Sequence, residues 1–287
     1  MSAKLILGTV QFGINYGINN ISGKPSFEAI EKIFRKAYAS GIRQLDTAEA
    51  YGDAQNLIGL FHQKQDIRFD VNTKFKGVKR ELLSNELTKV IDELKVEKIN
   101  TWFYHSFADY SNYPGLLVEL TDFKKQGLIK KIGVSVYSNA EFEKIVWDDT
   151  VDVIQLPFNL LDNFSYRGDL LVKAKQNLKT IQVRSVFLQG LFFKDLTTLP
   201  SYLLPLKPYL IILHRLSENK GMSMESLCLQ YANAQAYIDE IIIGVDTEEQ
   251  LASNIQAFNS QLDQETREAI DNIKVVETEL LYPYNWK

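Results

Sequence analysis

Four side chains in the first third of this 287-residue chain have the types and spacing for proton transfer: Asp46, Tyr51, Lys74 and His105. Asp46, Lys74 and His105 close the short apolar runs IRQLD, FDVNTK and INTWFYH, and Tyr51 follows Asp46 by five positions. A carboxylate, a phenol, an amine and an imidazole gathered in one place can polarise a carbonyl and protonate its oxygen as an alkoxide develops. The competing reading is four unrelated residues. Asp46 would then cap a loop, Tyr51 would be a half-buried aromatic, Lys74 a solvated strand end and His105 a core histidine. The elements that carry them decide between the two.

Short apolar segments alternate along the chain with longer amphipathic ones. KLILGT reads as the first strand. A helix then opens at Ser26 as N-cap, keeps Phe27, Ile30, Phe34, Ala37 and Tyr38 on one face, and stops at Gly41. Further strands are expected at IRQLD, FDVNTK, INTWFYH, KKIGVSV, VDVIQLP, KTIQVRSV and DEIIIG. Helices are expected near residues 54–63, 80–94, 206–236 and 264–276. Two more should open at capping boxes, Ser138 with Glu141 and Thr247 with Gln250, the second running to Phe258. Near-continuous apolar strands between helices predict a parallel sheet covered on both faces. Eight such units predict a closed (β/α)8 TIM barrel, a single α/β domain over residues 1–287, with its site at the C-terminal rim. The glycines of GTVQFGINYG lack the G-x-G-x-x-G spacing of a doubly wound nucleotide-binding fold.

Composition narrows the function classes. Hydrophobic residues make up 45% and charged residues 24%, net charge is −4, and no basic stripe exists, so no nucleic-acid partner is expected. The single cysteine, Cys228, excludes an intrachain disulfide and reads as a core residue. No run reaches the roughly 7–15 apolar residues of a leader or the roughly 20 of a spanning helix, so a cytoplasmic protein without a membrane partner is expected.

Taken together, LGTVQFG, LDTAEAYG, NTKF, YHSF, GVSVYS, IQLPFN and IIIGVDTEEQLASNI resemble the aldo-keto reductases over nearly the whole chain. The resemblance implies a barrel that binds a nicotinamide cofactor at its C-terminal rim and reduces aldehydes or ketones to alcohols. It implies Tyr51 as proton donor, Lys74 lowering the phenol pKa, Asp46 holding Lys74 charged and oriented, and His105 orienting the carbonyl. It places the cofactor against Gly8, Thr9, Asp46, Ser135, Gln155, Arg184, Ser185, Leu188, Gly190, Gly244, Gln250 and Asn254. Ser135 and Gln155 would meet the carboxamide, and Arg184 would stack on the nicotinamide where relatives carry an aromatic. Position 136, often asparagine in relatives, is valine here.

Relatives that prefer NADP carry basic residues after the eighth strand and in the next helix. The corresponding GVDTEEQLASN has none, and offers Asp246, Glu248 and Glu249 instead. The resemblance implies NADP, and the missing basic pair leaves NAD open. Phe12, Tyr51, His105, Phe107 and Tyr284 are the substrate-binding candidates. SFADYSNYPG, expected to be a short polar loop after the fourth strand, favours a small hydroxylated or sugar-like carbonyl compound. Two other functions fit the same motifs: an NAD-dependent sugar or alcohol dehydrogenase, and a cofactor-binding regulatory subunit with little turnover.

Overall fold

In the computed structural model, which describes residues 4–20, 23–259 and 261–286, eight parallel strands close into a barrel in sequence order. They are β1 (Lys4–Gly8), β2 (Gln44–Asp46), β3 (Asp70–Phe75), β4 (Ile99–Tyr104), β5 (Ile129–Ser135), β6 (Val153–Pro157), β7 (Thr180–Arg184) and β8 (Glu240–Gly244). Residues 1–3, part of the segment read for a leader, and Lys287 of the tail lie outside the described residues. Among the described residues no helix is long and apolar enough to cross a membrane.

The register fixes which side chains share the rim. Gly8 pairs with Asp46 on one side and Gly244 on the other. Ser135 pairs with Gln155, which pairs in turn with Gln182. Below this layer the barrel interior is unusually polar. Gln182 Nε2 donates to Glu240 Oε2 at 2.7 Å, Gln44 Nε2 to Glu240 Oε1 at 2.9 Å, and Asn72 and Asn100 both donate to Gln44 Oε1. These buried amides and the Glu240 carboxylate satisfy one another, as a dry interior demands.

Most helices stand where periodicity puts them. Phe27–Ala39 starts with Ser26 Oγ accepting from Ala29 N and ends before Gly41 at φ 89°. Asn139–Val146 opens with the full Ser138–Glu141 capping box. Four expectations need correction. The region 206–236 is two helices, Lys207–Lys220 and Met224–Asn233. Gly221, at φ 58°, ends the first, and Ser223 caps the second. The helix Gln264–Asp271 stops short of 276 because Asn163 Nδ2 takes the carbonyls of Ile270 and Ile273 at 2.9 and 2.8 Å. SFADYSNYPG is not a loop: Ser106 caps a helix, Phe107–Asn112. At Glu248–Phe258 only half of the expected capping box forms. Thr247 Oγ1 accepts from Gln250 N, but the Gln250 side chain reaches back to Asp246 N. Cys228 is buried in the core, and burial pushes its thiol pKa up.

Candidate active site

A cavity of about 670 Å³ opens at the C-terminal end of the barrel and contains Asp46, Tyr51, Lys74 and His105 together. Lys74 Nζ lies 2.6 Å from Asp46 Oδ2 and also donates to the Thr47 carbonyl at 3.0 Å. Both side chains of this ion pair are buried. Asp46 Oδ1 accepts from Gln155 Nε2 at 2.8 Å, so strands β2, β3 and β6 lock one carboxylate from three sides. The Tyr51 ring sits 5.1 Å from Lys74 Nζ and meets the His105 ring edge-on at 6.1 Å.

Tyr51 is placed by backbone contact. Gly13 packs against the turn that carries it, and a Cβ there would fall 1.6 Å from the Tyr51 carbonyl oxygen. Gly52, at φ 57°, completes the turn.

The Lys74 ammonium, 5.1 Å from the Tyr51 ring, is itself engaged by Asp46. Burial raises the Tyr51 pKa, the Asp46 carboxylate raises it further, and Arg184 opposes them only in part. The Tyr51 phenol therefore keeps its proton at neutral pH. Burial also pulls the Lys74 pKa down, with Asp46 opposing. His105 falls to about 4, through burial and the nearby Lys74 charge, so its imidazole is neutral; its Nδ1 is buried without a partner.

Of the residues expected at the cofactor, Gly8, Thr9, Asp46, Ser135, Gln155, Arg184, Ser185, Gly190, Gly244, Gln250 and Asn254 line this cavity. Leu188 does not; its side chain is fully buried beneath the loop after β7. That loop carries left-handed backbone at Ser185, Leu188, Gln189 and Gly190, strain of the kind kept at functional sites. Gln155 Oε1 is buried without a partner, an acceptor suited to a carboxamide N–H. Arg184 lines the cavity beside it. Its guanidinium already covers Tyr137 at 4.1 Å and donates to the Val136 carbonyl. Val136 itself is buried in the core.

Three substrate candidates lie elsewhere. Phe12 is fully buried, edge-on to Phe34; Phe107 packs on Tyr110 and under Lys144; Tyr284 is 59% exposed and braces Tyr137 from outside at 4.7 Å. The tail thus supports a wall residue and does not line the cavity. Around Tyr51 and His105 the walls come from Tyr16, Tyr137, Phe187, Gln189 and Phe193.

A strap missing from the sequence reading crosses the cavity. Residues after β1 reach the loop after β7 through Ile18 N to Gln189 O at 3.1 Å, Asn19 Nδ2 to Gly190 O at 2.6 Å and Gln189 Nε2 to Tyr16 Oη at 3.2 Å. Asn20 Nδ2 continues the strap to Asp246 Oδ1 at 3.1 Å.

The comparisons agree with this geometry. The sequence matches the Aldo/keto reductase family over residues 4–275, and the chain belongs to that family. It is 21% identical to the L-glyceraldehyde 3-phosphate reductase of Escherichia coli K12, over 89% of this chain and 85% of that protein. It is equally similar to Protein REDOX 2 of Catharanthus roseus, at 21% over 91% and 85%. Among solved structures, the glycerol dehydrogenase of Gluconobacter oxydans superposes with a TM-score of 0.76 at 19% identity, over 95% of this chain and 91% of that one. An aldo-keto reductase of Bacillus halodurans in its holo form gives 0.74 at 16%, over 95% and 92%. The protein is an oxidoreductase of a family that works with nicotinamide cofactors on carbonyl compounds.

Proposed function

We propose that this protein uses a nicotinamide dinucleotide to reduce a small, hydroxylated aldehyde or ketone to its alcohol. The observation that carries this reading is the convergence of Tyr51, the Lys74–Asp46 pair and His105 on one cavity. The residues fit the cofactor. Gln155 offers a buried, unpartnered acceptor, and Gly244, against which the Gln11 side chain packs, lines the same cavity. Gly8, Thr9, Ser135, Ser185 and Asn254 complete the expected cradle. When bound, a reduced nicotinamide supplies the hydride.

The chain's own residues supply the rest. Tyr51 Oη carries the proton that the carbonyl oxygen takes up as negative charge develops on it. Burial and Asp46 keep that proton in place until the oxygen needs it. The phenolate left behind faces the Lys74 ammonium, and Asp46 fixes that ammonium in position. His105, neutral, can give one hydrogen bond to the carbonyl oxygen and orient it. Tyr16 and Gln189 place hydrogen-bonding groups on an otherwise aromatic wall, which suits a small polyhydroxylated substrate. The names of two relatives, a glyceraldehyde phosphate reductase and a glycerol dehydrogenase, carry the same substrate class.

The test is turnover of a panel of small hydroxyaldehydes and hydroxyketones with NADH and with NADPH, alongside direct dinucleotide binding. At least one substrate should consume cofactor and form alcohol in equal amounts. Binding without turnover on the whole panel would favour the regulatory-subunit reading.

A further inference from the structure

The cavity is electrically divided along its length. Its two basic lining residues, Lys74 and Arg184, stand at the tetrad end. Its acidic lining residues besides Asp46 are Asp246, Glu249 and Glu225, all beyond β8 or on the helix Met224–Asn233. A dinucleotide whose reacting ring lies against Tyr51 and His105 must send its other end along the cavity to the wall formed by Asp246, Glu249, Gln250, Ser253 and Asn254. The Gln155 acceptor, buried and unpartnered, anchors that orientation from the reacting end.

At the far end the two adenosine forms differ by one group, a 2′-hydroxyl or a 2′-phosphate. A hydroxyl donates a hydrogen bond to a carboxylate; a phosphate dianion is repelled by it and needs charge-assisted partners. Asp246 is not free to swing away. Asn20 Nδ2 donates to its Oδ1, and its backbone N–H is held by Gln250 Oε1 at 2.7 Å. Lys32, whose charge acts on Glu249, belongs to the outer helix Phe27–Ala39 and lines a second groove that Asp246 and Glu249 also border; it does not line the main cavity. Repulsion by fixed like charge is how a site rejects a close competitor.

Resting on the dinucleotide site proposed above, we infer that Asp246 and Glu249 make this protein selective for NADH over NADPH, against the NADP expectation drawn from resemblance. Asp246 accepts from the ribose hydroxyls, and Glu249 adds repulsion against a 2′-phosphate. The experiment is fluorescence titration of the full chain with NADH and NADPH, repeated on Asp246→Asn/Glu249→Gln and on Lys32→Ala. NADH should bind at least about tenfold tighter to the wild type. The double variant should gain about tenfold in NADPH affinity and lose NADH affinity as the ribose hydroxyls lose their carboxylate acceptor, so that the NADH preference collapses, and Lys32→Ala should leave NADPH binding unchanged. Wild-type NADPH binding as tight as NADH, an unchanged ratio in the double variant, or loss of NADPH binding in Lys32→Ala overturns the inference alone. Failure of both dinucleotides to bind overturns the cofactor site itself, and this inference with it.

Discussion

Tyr51 keeps its proton because burial and the Asp46 carboxylate both disfavour the phenolate. His105 stays neutral because burial and Lys74 both disfavour the imidazolium. The two shifts predict the pH profile. Reduction rates should be flat from about pH 6 to 8 and fall as His105 charges near its value of about 4, since an imidazolium changes the bond offered to the carbonyl. A rate limb centred near pH 6.5, the ordinary histidine value, would contradict the assignment. Lys74→Met should be worse than the loss of one charge, because Asp46 is left buried beside Gln155 without its cation. Breaking a buried pair in this way costs about 3–5 kcal/mol, so thermal unfolding should report a large loss together with the fall in kcat.

The four residues were legible because three are of a reactive type at the end of an apolar run and the fourth, Tyr51, follows the first of them by five positions. The raised pKa of Tyr51 was not, because it comes first from burial, and burial is a three-dimensional fact.

At the scale of elements, the strand ends aim the chemistry and the turns between them hold it still. Gly13 touches the Tyr51 backbone more closely than any side chain allows. Gly13→Ala should therefore displace Tyr51, lowering kcat by an order of magnitude or more. Stability should fall by about 1–3 kcal/mol, as overpacking does elsewhere. Retained wild-type kcat would show that the turn does not set the donor's position. The strap is the element that a sequence hides most completely. Asn19 and Asn20 look like ordinary turn residues, and their partners Gly190 and Asp246 stand 171 and 226 positions away. Asn19→Ala should loosen it and speed dinucleotide release about threefold or more in stopped-flow measurements, with little effect on melting temperature. The break at Gly221 and Ser223, by contrast, was written in residue types, a left-handed C′ glycine followed by an N-cap serine. The early stop after Asp271 was not, because the capping amide of Asn163 comes from the start of the helix Phe164–Gln176, 107 positions before Ile270.

For the molecule as a whole, the rim and the floor of the barrel belong to one hydrogen-bonded column. Lys74, Asp46, Gln155, Gln182, Glu240 and Gln44 follow one another without an apolar gap. A second buried pair, Arg167 with Asp162, ties the turn after β6 to the backbone of Tyr137 and to Asn139. Asp162→Asn should lower the melting temperature by several degrees and disturb the cavity wall at Tyr137, since it leaves Arg167 buried with no counter-charge. Acid should also weaken the fold before it unfolds the barrel's carboxylates. The folded His105 value of about 4 lies below the ordinary 6.5, so the unfolded chain takes up the proton first. That contribution is intact above pH 6.5 and is lost as pH falls towards 4, on the order of 3 kcal/mol in all. His105→Asn should remove that part of the acid dependence in denaturant titrations.

The central claim is that Tyr51 supplies the proton in a carbonyl reduction while contributing little to dinucleotide binding. Comparing Tyr51→Phe with the wild type, for kcat on the best carbonyl substrate and for NADH affinity in the same preparation, tests it most directly. The account predicts a loss of about 10²–10⁴ in kcat, the range of a positioned general acid, with NADH affinity within about threefold of wild type. Equal turnover by both proteins would contradict it.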